Sequence, residues 1–219
     1  MVGGATVAET RTVHQPPCFV DASDDPDINQ VLNFYLQKII PNIDVLKINS
    51  GSRKNIMEIE YCIKLSDAER ETASFFNFST LNSDTDSRTF LHNFCTDTTS
   101  FLKTMETHYD MLNELAYYIV HLRLTTIDEL SENVLADILH NIYDCMCSIK
   151  SALRSKHNDP VIEVPSGVLS DEFLRYYEGK IKRCDQQSLE YITVHDIMRI
   201  ANYLQTVYSP FVATVSLCL

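Results

Sequence analysis

All five glycines and all seven prolines of this 219-residue chain lie at position 51 or below, or at 160 and above. The 108 residues between, 52–159, contain neither. A sheet protein turns every few residues and draws on Gly and Pro to do so. A stretch this long without them favours long helices, and the periodicity agrees. In residues 88–124, Leu91, Phe94, Thr98, Phe101, Met105, Leu112, Leu115, Ile119 and Leu122 hold one helical face. A break near His108 is one reading of that segment. After the short junction at Thr125 and Thr126, Ile127, Leu130, Val134, Ile138, Ile142, Cys145, Ile149 and Leu153 form a second such face. So short a junction predicts an antiparallel hairpin.

The flanks are less regular. A first helix is expected after the Asp24, Asp25, Pro26, Asp27 cluster, because acidic residues and Pro suit a helix start. Ile28, Val31, Leu32, Tyr35, Leu36, Ile39, Ile40 and Ile43 would form its buried face. Pro41 should kink or end it. Residues 56–65 are β-branched and partly alternating, which predicts a short strand or an extended crossover. Ser66 to Glu69 can cap a short helix, and residues 77–87 read as loop. Residues 158–167 form another loop, and a final helix starts from about Ser170, with Leu189, Ile192, Ile197, Ile200, Leu204 and Val207 on roughly one face. Arg199 points away from the centre of that face.

Long first and third connections around a short middle one are the signature of an up-up-down-down arrangement. The expected fold is therefore all-α: a long-chain up-up-down-down four-helix bundle over residues 26–219, with a flexible arm at 1–25. The roughly 40 residues between the first and second helices read equally as a fifth helix of an α-helical adaptor.

Composition narrows the function. Eighteen basic against 30 acidic side chains give a net charge of -12, which disfavours nucleic acid and anionic membrane. The richest basic cluster, Lys180, Lys182 and Arg183, is short and reads as a solvated helix face. No run is long enough to span a bilayer, and residues 1–13 do not read as a secretion signal. The chain is either intracellular or a secreted chain whose leader is absent from this sequence. Seven cysteines suffice for two or three bridges and leave one thiol over. Cys145 continues the apolar stripe and reads as core. Cys147 lies about 200° around the helix from it and should be more exposed. Asn77, Phe78 and Ser79 form the one glycosylation sequon.

No phosphate loop, HExxH pair, dinucleotide fingerprint or GxSxG elbow is present. His108, His121, His140 and His195 are dispersed without partners at ligand spacing, and Asp110, Asp137 and Asp144 read as solvated helix positions. The expectation is a binding protein with no catalytic residues, cofactor or metal.

Several segments carry a resemblance. Lys180, Ile181, Lys182, Arg183 and Cys184, followed by Tyr191, Ile192, Ile197, Arg199, Ile200, Tyr203 and Leu204, are similar in type and spacing to the last helix of the long-chain helical cytokines. The chain resembles the interleukin-6/interleukin-12 family, and within it the interleukin-12 alpha subunits most. Pro17 and Cys18, the segment Glu60 to Leu65 around Cys62, and Cys95 before Phe101, Leu102 and Lys103 match further family positions. The likeness is scattered over most of the domain and strong around Cys184 to Leu204.

The resemblance implies disulfides Cys18–Cys95 and Cys62–Cys184, each stapling a loosely attached segment to a long helix. It implies secretion, in which setting the sequon makes Asn77 a candidate glycosylation site. It also implies heterodimer formation with a receptor-like beta subunit, and signalling through cell-surface receptors. Arg199 would be the central anchor in a pocket of that partner, with Asp196, Tyr203 and Gln205 beside it; Tyr35 and Lys38 are weaker candidates. The family's partner-linking cysteine has no counterpart here, which leaves Cys147 and Cys218 as candidates for an interchain bridge. Two other readings stand: a single-chain cytokine of interleukin-6 type, and an intracellular or viral all-helical adaptor of the Bcl-2-like kind.

Overall fold

Pro41 does not end the first helix. In the computed structural model, which describes residues 28–60, 74, 78–126, 129–156 and 186–213, helix α1 runs unbroken over Ile28–Glu60 with Pro41 inside it. At 33 residues it is about 50 Å long. Proline in a helix removes one N–H and crowds the carbonyl four residues back. Here Pro41 and Gln37 are both exposed, so water can take the freed carbonyl while the inner seam stays intact. That seam is Leu36, Ile39, Ile43, Leu46, Ser50, Arg53 and Met57, spaced by three and four and all buried.

Continuity of α1 replaces the strand or crossover expected at residues 56–65 with helix over 56–60. Positions 56–60 are its last turns, with Met57 facing in and Ile56 and Ile59 facing out. Residues 61–65, including Cys62, lie outside the described residues.

A short 3-10 turn, Phe78–Thr80, precedes helix α2, Ser83–Thr96. Residues 77–87, read as loop, thus contain a helix start. Asn82 supplies the N-cap: its side chain accepts from the Thr85 N–H at 3.2 Å, and its own N–H donates to Asp86 at 3.2 Å. The break expected near His108 falls instead at Asp97, between α2 and α3, Thr98–Thr125. Asp97 accepts from the Ser100 N–H and hydroxyl, at 3.2 and 2.7 Å. A capping aspartate stops one helix and starts the next without Gly or Pro. His108 lies inside α3, 1 % exposed.

Helix α4, Glu129–Lys156, follows across a junction in which the Thr126 N–H donates to the Leu122 carbonyl at 2.9 Å. Arg123 meets Glu132 across that junction at 3.5 Å. Helix α5, Gln186–Tyr208, leads into a four-residue turn of helix, α6, Pro210–Ala213. Every regular element among the described residues is helical, so the fold is all-α. None of these helices is long and apolar enough to cross a membrane.

Helix α1 packs on α4 and α5, α3 on α4 and α5, and α2 on α3 and α5. Side-chain bonds give the sense of each pairing. Asn42 meets Ser148 while Arg53 meets Ser131, so α1 and α4 run oppositely. Asp44 meets Gln205 while Glu58 meets Tyr191, so α1 and α5 also run oppositely. Phe101 lies near Phe211 of α6, just past the C-terminal end of α5, and His108, two turns further along α3, lies beside Tyr208 of α5, so α3 runs back along α5.

Candidate partner-binding face on the last helix

Helix α5 touches three neighbours and is therefore buried around most of its circumference. Leu189, Ile192, Ile197, Ile200, Leu204 and Val207 are buried as the periodicity required, and so are Tyr191, Thr193, Val194, Asp196 and Ala201. What remains accessible is a narrow ridge: His195, Arg199, Asn202 and Thr206, spaced by three and four. Met198 and Gln205 lie on one side of it and Tyr203 on the other.

Arg199 sits at the middle of this ridge and is half-buried. Its guanidinium lies over the ring of Phe78, 3.7 Å from the centroid. This is a cation–π contact that holds the planar group flat. Phe78 comes from the 3-10 turn, and its ring is 8 % exposed. Together with Leu81, Ser83, Asn202, Tyr203 and Thr206 the pair lines a cleft of about 290 Å³ between α5 and the start of α2.

The wall on the α2 side is fixed by a hydrogen bond. The Tyr203 hydroxyl donates to Asp86 Oδ2 at 3.0 Å, the same carboxylate that receives the Asn82 N–H at the cap of α2. Burial, and then the Asp86 charge, push the Tyr203 phenol well above its ordinary range, so it stays a neutral donor. On the α1 side the Gln205 carbonyl accepts from Lys47 Nζ at 2.8 Å while its amide donates to Asp44.

Of the residues expected at a partner surface, then, Arg199 and Tyr203 share the cleft, and Gln205 borders the ridge as a lateral tie to α1. Asp196 does not belong with them. It is fully buried beneath the ridge and accepts from the Ser74 hydroxyl at 2.9 Å, with His195 Nδ1 at 3.9 Å. A helix packed on three sides buries positions that a single-face reading leaves outside. Tyr35 and Lys38 lie several turns away, since the Gln205–Asp44 contact sets them beyond the far end of the ridge.

Phe78 and Asp86 were not singled out from sequence as site residues. The last aromatic of the run Phe75, Phe76, Phe78 before a polar stretch, and Asn82 followed by Thr85 and Asp86, were the available signals. The sequon Asn77 lies outside the described residues; its Ser79 is exposed.

The cysteines divide clearly. Cys145 is a free thiol, fully buried, whose pKa burial drives far up. Cys95 and Cys147 are both disulfide-bonded. Cys147 is therefore closed within this single chain and does not serve as an interchain bridge, because its sulfur is already committed. Cys18, Cys62, Cys184 and Cys218 lie outside the described residues.

The remaining titratable groups are scattered. His108 shares a 3.0 Å hydrogen bond with the Tyr208 hydroxyl, and complete burial holds its pKa down to about 3, so it is neutral at physiological pH. Glu114 is pushed up to about 7, by burial first and then by the charge of Asp110. Among the described residues no group of three or more His, Cys, Asp or Glu is placed to hold a metal ion. Comparisons with protein-family models, with curated proteins and with solved structures found no match.

Proposed function

We propose that the chain is a secreted helical cytokine subunit. In this reading it pairs with a receptor-like beta subunit through the ridge of α5, and the assembly engages cell-surface receptors. The observation that carries it is the preorganised Arg199: a planar cation stacked on Phe78 at 3.7 Å in the wall of a cleft. Arginine is enriched among interface hot spots, and a guanidinium held flat loses less freedom when it meets a bidentate acid.

Two further observations support the reading. Helices α4 and α5 both run opposite to α1, and α3 runs opposite to α5. Those senses fit an up-up-down-down bundle of α1, α3, α4 and α5, with α2 as an addition in the first crossover. Disulfides at Cys95 and Cys147 fit an oxidising compartment better than a cytosolic adaptor. With Cys145 free, six of the seven cysteines remain, an even number suited to complete pairing.

The test is binding of the purified chain to soluble receptor-like beta chains, measured by surface plasmon resonance. Arg199→Ala should weaken binding by about tenfold or more while far-UV circular dichroism is unchanged. Arg199→Lys, which keeps the charge but loses the fork, should recover only part of it. Equal affinity for all three proteins would remove Arg199 from the interface.

A further inference from the structure

The buried seam of α1 has a counterpart on the opposite side of the same helix. Five large hydrophobic side chains are exposed among the described residues, and four of them lie on α1: Val45 (45 % exposed), Ile48 (64 %), Ile56 (39 %) and Ile59 (78 %). Scattered exposed aliphatics are ordinary, but a contiguous set marks a contact surface. With exposed Ser52 between them, these positions are spaced by three, four, four and three. At about 100° per residue they occupy one narrow stripe, roughly 20 Å long. The fifth residue, Leu130 at the start of α4, lies at the level of Arg53 along α1, as the Arg53–Ser131 bond shows, but on another helix.

The spacing reads the same in both directions about Ser52, which is the property a two-fold contact needs. We propose that this stripe is a self-association surface on which two copies of the chain pair through antiparallel α1 helices crossing at Ser52. In that register Val45 faces Ile59 of the partner subunit, Ile48 faces Ile56 of the partner subunit, and Ser52 faces its own equivalent. A small side chain at the crossing lets the four flanking aliphatics interdigitate.

The absence of charge on the stripe makes it the place where a second copy can approach. Two chains of net charge -12 repel each other over most of their surface. The exposed positions from 45 to 59 (Val45, Ile48, Ser52, Asn55, Ile56 and Ile59) carry no charge at all. Glu60 is exposed at the end of the stripe, while the charged groups along its side are engaged within their own chain. Asp44 and Lys47 bond Gln205, and Glu58 meets Lys54 at 2.9 Å and Tyr191 at 2.6 Å. Burying the stripe on both copies removes on the order of 1,000 Å², which places the dimer at the weak end of specific interfaces. The surface is distinct from the Arg199 cleft and does not depend on the function assigned to it.

Sedimentation velocity of the full chain over a thousandfold concentration range tests this. The wild type should pass from monomer to dimer. Ile48→Glu alone, or Ile56→Lys alone, should raise the dissociation constant at least about tenfold, with circular dichroism unchanged. The two substitutions together should restore dimerisation to within about threefold, because the introduced charges then face each other across the two-fold. A wild type that stays monomeric throughout, or a double variant no better than the singles, overturns the proposal. So does an Ile48→Glu variant that loses thermal stability without any change in mass, which would assign the stripe to a segment of the same chain.

Discussion

The two ends of α5 are packed by opposite means. At its C-terminal end the core is aromatic: Phe90 stacks on Phe101 at 4.6 Å between centroids and meets Tyr208 and Phe211 edge-on at 5.2 and 5.4 Å. Phe94 closes the group against Phe101 and Phe211. At its N-terminal end the core is polar. Arg53 Nε donates to Glu190 at 2.7 Å and its Nη2 to the Ser131 hydroxyl, with all three residues at most 5 % exposed. Asp196 and Ser74 make a second buried bond nearby. The aromatic end tolerates no missing volume, whereas the polar end tolerates no missing partner. One helix thus carries a stability that adds up from area and, two turns and more away, a stability that depends on pairing.

Substitutions separate the two. Phe90→Ala should have the largest effect, about 4 kcal/mol in urea unfolding, because it opens a cavity bounded by four aromatic neighbours. No single compensating change should recover it. Arg53→Ala should cost about 3 kcal/mol, since it leaves the Glu190 carboxylate buried without its cation. Replacing both partners, Arg53→Met with Glu190→Leu, should return most of that loss. If the double variant is as unstable as the single, the polar end is held by volume after all and the contrast fails.

The smallest effect concerns pH and belongs to the aromatic end. His108 titrates near 6.5 when unfolded but at about 3 when folded. The unfolded chain therefore binds a proton first, and stability declines as pH falls from about 6.5 toward 3. His108→Gln should flatten this acid limb by about 2–3 kcal/mol at pH 4.5, read as the difference between the two chemical-denaturation curves. Glu114, raised to about 7, acts with the opposite sign: protonation favours the folded form as pH falls through 7, an effect complete near its unfolded value. Both proteins carry it equally, so the difference isolates His108. An unchanged acid limb would mean that His108 is protonated in the folded chain.

How much of this was legible from residues alone follows from what each residue needs to know about its surroundings. The stretch free of Gly and Pro and most of the faces of α3, α4 and α5 were readable, because periodicity reports burial; Thr98 and Leu130, assigned to those faces at the starts of α3 and α4, are exposed instead. Cys145 as a core residue followed from the same stripe. The length of α1 was not readable, because tolerance of Pro41 depends on Gln37 facing water, a tertiary fact. Arg53 could not be assigned to the inner seam by hydropathy, since its burial is licensed by Glu190 and Ser131 from other helices, and Ser50 is buried by turning its hydroxyl back on the Leu46 and Lys47 carbonyls of its own helix. At the site, the accessibility of Arg199 was half right: it lies on the open ridge, but against Phe78, which no helical spacing connects to it. Asp196 failed for the converse reason, that α5 has three packing partners where one had been assumed.

Cys145 and Cys147, two residues apart on α4, bear on how the chain is made. One sulfur is a buried thiol and the other half of a disulfide. In an unfolded chain the two are equivalent competitors for any oxidant, and either could capture the bond. Packing Cys145 into the core withdraws it from that competition, because an inaccessible thiol held in its neutral form is a poor nucleophile. In the folded chain, burial of Cys145 thus keeps apart two thiols that sequence proximity alone would leave interchangeable.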